Sequence, residues 1–281
     1  MNRRSYYLTA ALTAVVCLST TARPAGAQSR WMPRDGKQAV ALEFLHPSLE
    51  SYDTGFFNAA TFVSARVEAA PNFAIVGELP YASHSSSYSG TDFNGYPVTV
   101  EQSSGTIGNP YLGFEAAPAT LPIFIEFGVR LPLVSRGQDL AQFTGLFADV
   151  PRWEAFYFKV ISFQSAFNVR EVTASNMEYR LRLSPVLAVP TEGSADAELF
   201  GVYSLQIGYH GRFARVGTGI SGRVLVTEDG SNLGQRSLNQ LELHADVGPW
   251  AVRPGFDLHL PLDSWAESVP VVVGASLSWS Q

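Results

Sequence analysis

Glu242, His244 and Asp246 recur at every second position, and Asp257 and His259 do the same in the next apolar segment. Carboxylate and imidazole are the ligand types of a divalent metal and the usual partners in general acid–base chemistry. Charge follows the same rhythm at Glu178, Arg180 and Arg182, while Glu126 and Arg130 stand an even number of positions apart. Arg215, Arg223 and Arg253 belong to further stretches of this kind. A metal centre needs a spacing that closes a coordination shell. A period of two does not supply one, because any strand with one wet face generates the same pattern. Nucleophilic hydrolysis finds no support either: serines are plentiful, but no G-x-S-x-G elbow is present and spacing singles out no Ser/His pair. The expectation is a row of charged side chains lining water, with no catalytic residue, no metal site and no cofactor.

The elements that must hold these rows are strands. In "MEYRLRLSPVL", Met177 to Leu187, Tyr179, Leu181, Leu183 and Leu187 point one way and Glu178, Arg180, Arg182 and Ser184 the other. Apolar faces without a mid-strand charge recur at Val63–Val67, Ile123–Leu131, Tyr203–Tyr209, Leu241–Val247 and Val271–Trp279, read at alternate positions. Arg66, Glu68, Glu78 and Glu115 join the charged faces. Nearly all the cations are arginine, with Lys37 and Lys159 the lysines, and a guanidinium that forks between carboxylates suits ion-pair ladders on a wall. Hairpin registers that set Arg66 opposite Glu78 and Asp246 opposite Arg253 would pair charges across the two short turns.

Alternation marks twelve strand segments, near 38–46, 60–70, 73–83, 109–117, 121–134, 155–170, 176–189, 198–210, 212–226, 237–247, 251–262 and 269–280. A phase change near Val160-Ile161 predicts a bulge in the sixth. Connections alternate long and short. The short ones are Pro71-Asn72, Pro118-Ala119-Thr120, 171–175, Gly211 and Gly248-Pro249-Trp250. Sorting by parity puts every short turn at one end, as in an antiparallel up-and-down barrel of an outer membrane, with both termini in the periplasm. Pro80, Pro132, Pro190 and Pro261 recur near the ends of strands of one direction, where a missing N–H costs no ladder bond. Tyr209, Trp250 and Trp279 are placed for an aromatic girdle at the short-turn end.

Arg3 and Arg4, an apolar run from Tyr6 to Leu18 and Ala25-Gly26-Ala27 read as a cleavable signal peptide, residues 1–27, leaving 28–281 as one barrel domain. Cys17 is the only cysteine and would leave with the signal, so thiol chemistry and a disulfide scaffold are excluded. Removing residues 1–27 takes away Arg3, Arg4 and Arg23 and no acids. That leaves 16 basic against 25 acidic residues, a formal charge of −9 that disfavours nucleic acid as a partner. Beyond the signal no apolar run is long enough for a membrane helix, so a membrane-spanning fold has to be a closed barrel.

Two long connections stand out. Ser83 to Gly108 is rich in Ser, Gly and Tyr and reads as a surface loop for recognition or constriction. Gly137 to Phe156 spaces Leu140, Phe143, Leu146 and Phe147 as a short amphipathic helix lying on or in the barrel mouth, where Phe143, Phe147 and Trp153 would meet an apolar solute or pack on the rim.

"GTIGNPYLGFEAAPATLPIFIEFGVRLPLVS", Gly105 to Ser135, resembles a barrel family with a Gly-x-Gly-[Asn/Asp]-x-x-Leu-Gly strand, a short turn and a Leu-Pro-ending strand. That family comprises the meta-pathway phenol-degradation transporters and related outer-membrane proteins. Thr106 stands where the first glycine of the pattern is expected. The resemblance implies passage of small, often apolar or aromatic compounds, and brings no catalytic residues. The residues themselves support an outer-membrane barrel passing small solutes, with Glu126, Arg130, Glu178, Arg180 and Arg182 as its constriction. Its partners are then membrane lipid, a small solute and the barrel-assembly machinery. A closed barrel acting through its loops and a lipid-modifying barrel enzyme are the alternatives.

Overall fold

Burial alternates residue by residue through the strands, with the polar residues as the buried ones. In the segment Glu198–His210, Ser204 and Gln206 are buried while Leu205 is 63% exposed. The same inversion holds for Glu242 and His244 against Leu243, and for Glu126 against Ile125 and Phe127. A soluble sandwich would bury the aliphatic face; here that face is outermost, as lipid contact requires.

The computed structural model describes residues 38–48, 58–91, 93–118, 121–227, 236–248, 251–263, 269 and 271–281. The expected signal peptide with Cys17, and Trp250 of the expected girdle, lie outside the described residues. The strands are β1 (Gln38–Pro47), β2 (Ala59–Ala70), β3 (Phe73–Thr91), β4 (Pro97–Ile107), β5 (Tyr111–Ala116), β6 (Ile123–Arg130), β7 (Val160–Val172) and β8 (Met177–Pro190). They continue as β9 (Glu198–His210), β10 (Ala214–Leu225), β11 (Ser237–Val247), β12 (Val252–Pro261) and β13 (Val272–Ser280). Helix α1 (Asp139–Ala148) and a 3-10 segment (Val150–Ala155) lie between β6 and β7. Every strand pairs antiparallel with its neighbours, and β1 pairs with β13 as well as β2, so the sheet closes. The result is a closed barrel of 12 strands.

Thirteen strands make twelve staves because β4 and β5 share one. β5 pairs with the lower part of β3 (Phe73–Glu78) and β4 with its upper part (Tyr81–Thr91). The stave breaks at Gly108-Asn109-Pro110, opposite Leu79-Pro80, so Pro80 sits where the ladder on that side needs no donor. The expected loop 84–108 is therefore a two-stranded ribbon extending the wall, turned near Gly95, whose φ is +84°. Its Ser and Thr content hid a ladder that the backbone alone makes. Pro132, Pro190 and Pro261 do fall at or just beyond strand ends.

Short turns and the two barrel ends of β1 and β13 share one rim, and the long connections share the other. Asn72 and Asn176 take left-handed φ of 66° and 61° in the short turns, a conformation asparagine tolerates better than most residues. Phe73, Tyr179, Tyr209, Phe213 and Trp279 supply outward aromatics at this rim.

Three expected details change. The bulge at Val160-Ile161 is instead the start of β7, after Lys159 at φ 53°. Residues 155–159 precede the strand, and burial keeps one phase through β7. Arg66 faces Val76 and Glu78 faces Ser64, because the sheet slips at a bulge between Glu68 and Ala70. Asp246 faces Gly255, and Arg253 reaches it only diagonally, at 3.5 Å.

Candidate functional site in the barrel lumen

The interior is built around a segment the wall does not supply. After β6, Pro132 ends the pairing, and Leu133 and Val134 donate their N–H groups to the Asn109 Oδ1 at 2.8 and 3.1 Å. Helix α1 lies along the β3–β4 ribbon on its small side, Ala141, Thr144, Gly145 and Ala148. Thr144 meets His84 at 2.9 Å, and the Ala141 N–H donates to Ser104 at 3.0 Å. A Cβ on Gly145 would come within 2.4 Å of the Phe156 ring, so only glycine lets the helix close on the chain that follows it. The helix forms and is amphipathic as expected, but its buried face is small rather than aromatic.

The 3-10 segment then drops into the lumen. Arg152 donates through Nη1 to Glu43 on β1 at 2.7 Å and Glu78 on β3 at 3.0 Å, through Nε to Asp149, and its guanidinium lies 3.7 Å over the Phe62 ring. Burial opposes the charge, but Glu43, Asp149 and Glu78 outweigh it and hold the pKa of Arg152 well above the ordinary arginine value. Across the barrel, Arg223 on β10 holds Glu154 at 2.5 Å, and Gln240 on β11 donates to Asp149 at 3.4 Å. Asn109, fully buried at the stave break, donates through Nδ2 to the carbonyls of Glu154 and Tyr157, and its own N–H donates to Ala155 at 2.6 Å. Ala148, Val150, Ala155 and Phe156 pack with Leu45, Ala60, Phe62 and Val272 from the wall. This segment is a plug tied to opposite sides of the barrel.

All thirteen lumen residues expected from the alternation face inward, but they do not converge on one constriction. Arg182 is bidentate on Glu126, at 2.8 and 3.3 Å, and Tyr111 donates to the same carboxylate at 2.6 Å. Arg130 reaches Glu78 at 2.6 Å, one pair away from the plug. Glu178 is shared by Arg170 and Arg180 at the short-turn end. Arg215 and Arg253 meet Asp246. Each ring nitrogen of His244 faces a carboxylate, Asp257 at 2.7 Å and Asp246 at 3.3 Å, while Glu242 takes hydrogen bonds from Gln206, Ser221 and Gln240. His259 lies opposite Glu242 on β12. No group of three metal-type ligands comes together among the described residues. The interior is an ion-pair lattice.

Of the loop aromatics, Phe143 is exposed and meets Phe147 at a tilt, 4.4 Å between centroids; Phe147 meets Trp153 edge-on at 6.2 Å. Trp153 lies between Phe147 and the Arg223 guanidinium, 5.1 Å from its ring. The ladder of rings runs from the mouth to the plug. A small cavity between plug and wall, lined by Arg152, Gln164, Arg182 and Ser204, has room for one or two water molecules.

Alternation did not single out the residues that do most to close the lumen: Glu43, Asn109, Asp149, Arg152 and Glu154. Their signal was compositional. "DVPRWE", Asp149 to Glu154, puts three charges into an otherwise apolar mouth segment, which no rim packing calls for.

No family model matches the chain, and no curated protein matches it. Among solved structures it is similar to an outer membrane channel from Pseudomonas putida F1, at 9% identity over 91% of this chain and 99% of the other, with a TM-score of 0.56. LpxR from Salmonella typhimurium (12% identity, 86% and 100% covered, TM-score 0.49) and the Pseudomonas putida toluene transporter TodX (9%, 89% and 91%, 0.43) are more distant. At such identities the likeness is one of fold: the chain has the architecture of an outer-membrane β-barrel.

Proposed function

We propose that this protein is an outer-membrane barrel that passes small solutes, with residues 139–159 as a gate that closes the lumen. One observation carries the reading: the closure is made by a single chain segment tied to opposite walls by ion pairs and hydrogen bonds around an apolar cluster. The charged and polar contacts exchange for water when the segment moves, and Ala148, Val150, Ala155 and Phe156 are its apolar contribution to that cluster. The charged wall left behind is already suited to water. The lipid-facing outer surface supports export by the signal peptide read at residues 1–27 and insertion by the barrel-assembly machinery. A solved structure with the same fold is an outer membrane channel, which supports the reading. The resemblance over 105–135 and the ring ladder Phe143–Phe147–Trp153 favour small apolar or aromatic solutes at the mouth, with the Arg182–Glu126 and Arg180–Glu178 pairs as the selective lining below. Planar-bilayer recording tests this. The expected result is rare openings for the natural chain and frequent ones when the plug's ion pairs are removed; a silent barrel in both cases would count against a channel.

A second reading has its own observation. The β3–β4 ribbon carries Phe93 and Tyr96, both highly exposed at its turn. A closed barrel that binds a partner through this tip predicts binding lost on removing 87–101, with barrel assembly unchanged.

A further inference from the structure

The plug is seated in the lumen as a ligand would be. Glu43 on β1 and Phe62 on β2 stand opposite one another in the register. With Glu78 on β3 they enclose the Arg152 guanidinium, the two carboxylates at 2.7 and 3.0 Å and the ring centroid at 3.7 Å. Two acids and an aromatic face suit an organic cation. On the other side, Arg223 of β10 takes the Glu154 carboxylate at 2.5 Å, and its guanidinium lies 4.0 Å from the Phe200 ring. Trp153 separates the two plug charges in the chain, its ring 5.1 Å from the Arg223 guanidinium. Arg152-Trp153-Glu154 therefore presents a cation, a ring and an anion in that order.

Glu43 and Arg223 differ from the rest of the lattice in what their partners are. Arg182 with Glu126, Arg66 with Glu115, and Arg215 with Asp246 are pairs within the wall, and they stay when the plug leaves. Among the described residues, the Glu43 carboxylate is paired by Arg152 and by no wall cation, and Arg223 donates to Val150 and Glu154, both of the plug. Both wall groups are buried. Asp149, which Arg152 also meets, belongs to the plug and goes with it. An acid and a base of the wall, each beside a ring, are thus kept for a partner that the wall does not supply. The plug takes up these contacts in place of water, and a free solute of the same chemistry makes the same ones.

We propose that the place taken by Arg152-Trp153-Glu154 is a binding site for a small aromatic zwitterion, its cation held at Glu43, Glu78 and Phe62 and its carboxylate at Arg223. The plug is then a tethered competitor, and a bound solute holds the gate open. An acid alone gains Arg223 and leaves Glu43 without a cation; an amine alone does the reverse. The assignment rests on the gate reading, because the site is free only once residues 139–159 have moved.

The test titrates para-aminomethylbenzoate, para-methylbenzoate and para-methylbenzylamine into the full chain in detergent and reads binding by saturation-transfer NMR. The zwitterion should bind at least ten-fold more tightly than either singly charged probe, and at least ten-fold more tightly again to Arg152→Met, whose plug competes less. In Arg223→Gln it should lose its advantage over para-methylbenzylamine. Should these variants lack heat-modifiable migration, the natural chain gives the answer: the zwitterion, and neither other probe, should speed exchange of the Asn109 amide, which donates to Ala155 of the plug. Equal affinity for the three probes, no tighter binding to folded Arg152→Met, an advantage kept in folded Arg223→Gln, or Asn109 exchange unmoved by the zwitterion would each overturn the assignment. Binding is read without conductance. A silent bilayer with the zwitterion still bound removes passage and leaves the site, whereas frequent openings with the probes bound alike remove the site and leave the channel.

Discussion

Replacing Arg152 with methionine keeps most of the side-chain length and removes the charge that ties the plug to β1 and β3. With the plug in place, Glu43 and Asp149 are then buried without that cation, while Glu78 keeps Arg130. Removing one partner of a buried pair costs about 3–5 kcal/mol. With the plug out, Glu43 and Glu78 line a water-filled lumen and lose little by the substitution. The penalty therefore falls on the closed state alone, and at about 1.4 kcal/mol per decade it shifts the closed-to-open ratio by roughly two to four orders of magnitude. Single-channel recording reads this as open probability. Glu43→Gln added to Arg152→Met should recover part of the closure, because the two groups interact directly at 2.7 Å and their effects cannot add. An Arg152→Met barrel that migrates as folded, yet opens no more often than the natural chain, would refute the reasoning.

Three further substitutions probe the construction. Asn109→Ala strips acceptors from the Leu133 and Val134 amides and donors from the Glu154 and Tyr157 carbonyls; both amides should exchange at least ten-fold faster with solvent by hydrogen-exchange mass spectrometry, since each buried group left unmatched costs about 1–3 kcal/mol. Gly128→Ala would set its Cβ 2.3 Å from the Tyr111 ring and push that ring off the Gly113–Gly128 groove and away from Glu126. Destabilisation of about 1–3 kcal/mol is expected in guanidinium unfolding, and less than additively with Tyr111→Leu. Leu205→Arg places charge on the outward face at mid-strand and should lower unfolding free energy in lipid vesicles by about 2–4 kcal/mol, the depth-dependent cost of a cation in acyl chains.

The wall was legible in the sequence, because a lipid-facing strand has to alternate and its charges have to point inward. The order of long and short connections gave the up-and-down topology for the same reason: chain length in a turn does not depend on tertiary contacts. Register was not legible. Arg66 and Glu78 share a face whether they are opposite or two residues apart, so alternation could not see the slip at Glu68–Ala70. The β3–β4 ribbon was hidden because its ladder rests on backbone groups and its serines carry no hydrophobic period. The plug was half legible. Helical spacing at Leu140 to Phe147 marked a helix at the mouth, but the descent of Arg152 into the lumen depends on Glu43, Glu78 and Asn109, which lie far from it in sequence. Charges that look alike on a strand, such as Arg130 and Arg180, turned out to serve different ion pairs at different depths.

Single-cysteine spin labelling along β9 in lipid vesicles tests the central assignment most directly. Labels at Tyr203, Leu205 and Ile207 should be relaxed strongly by dissolved oxygen and weakly by a water-soluble nickel chelate, as acyl-chain contact demands. Labels at Ser204 and Gln206 should be shielded from oxygen. If all five positions behave alike, or if nickel reaches the odd positions better than oxygen does, the aliphatic face does not meet lipid and the barrel is not inserted as described.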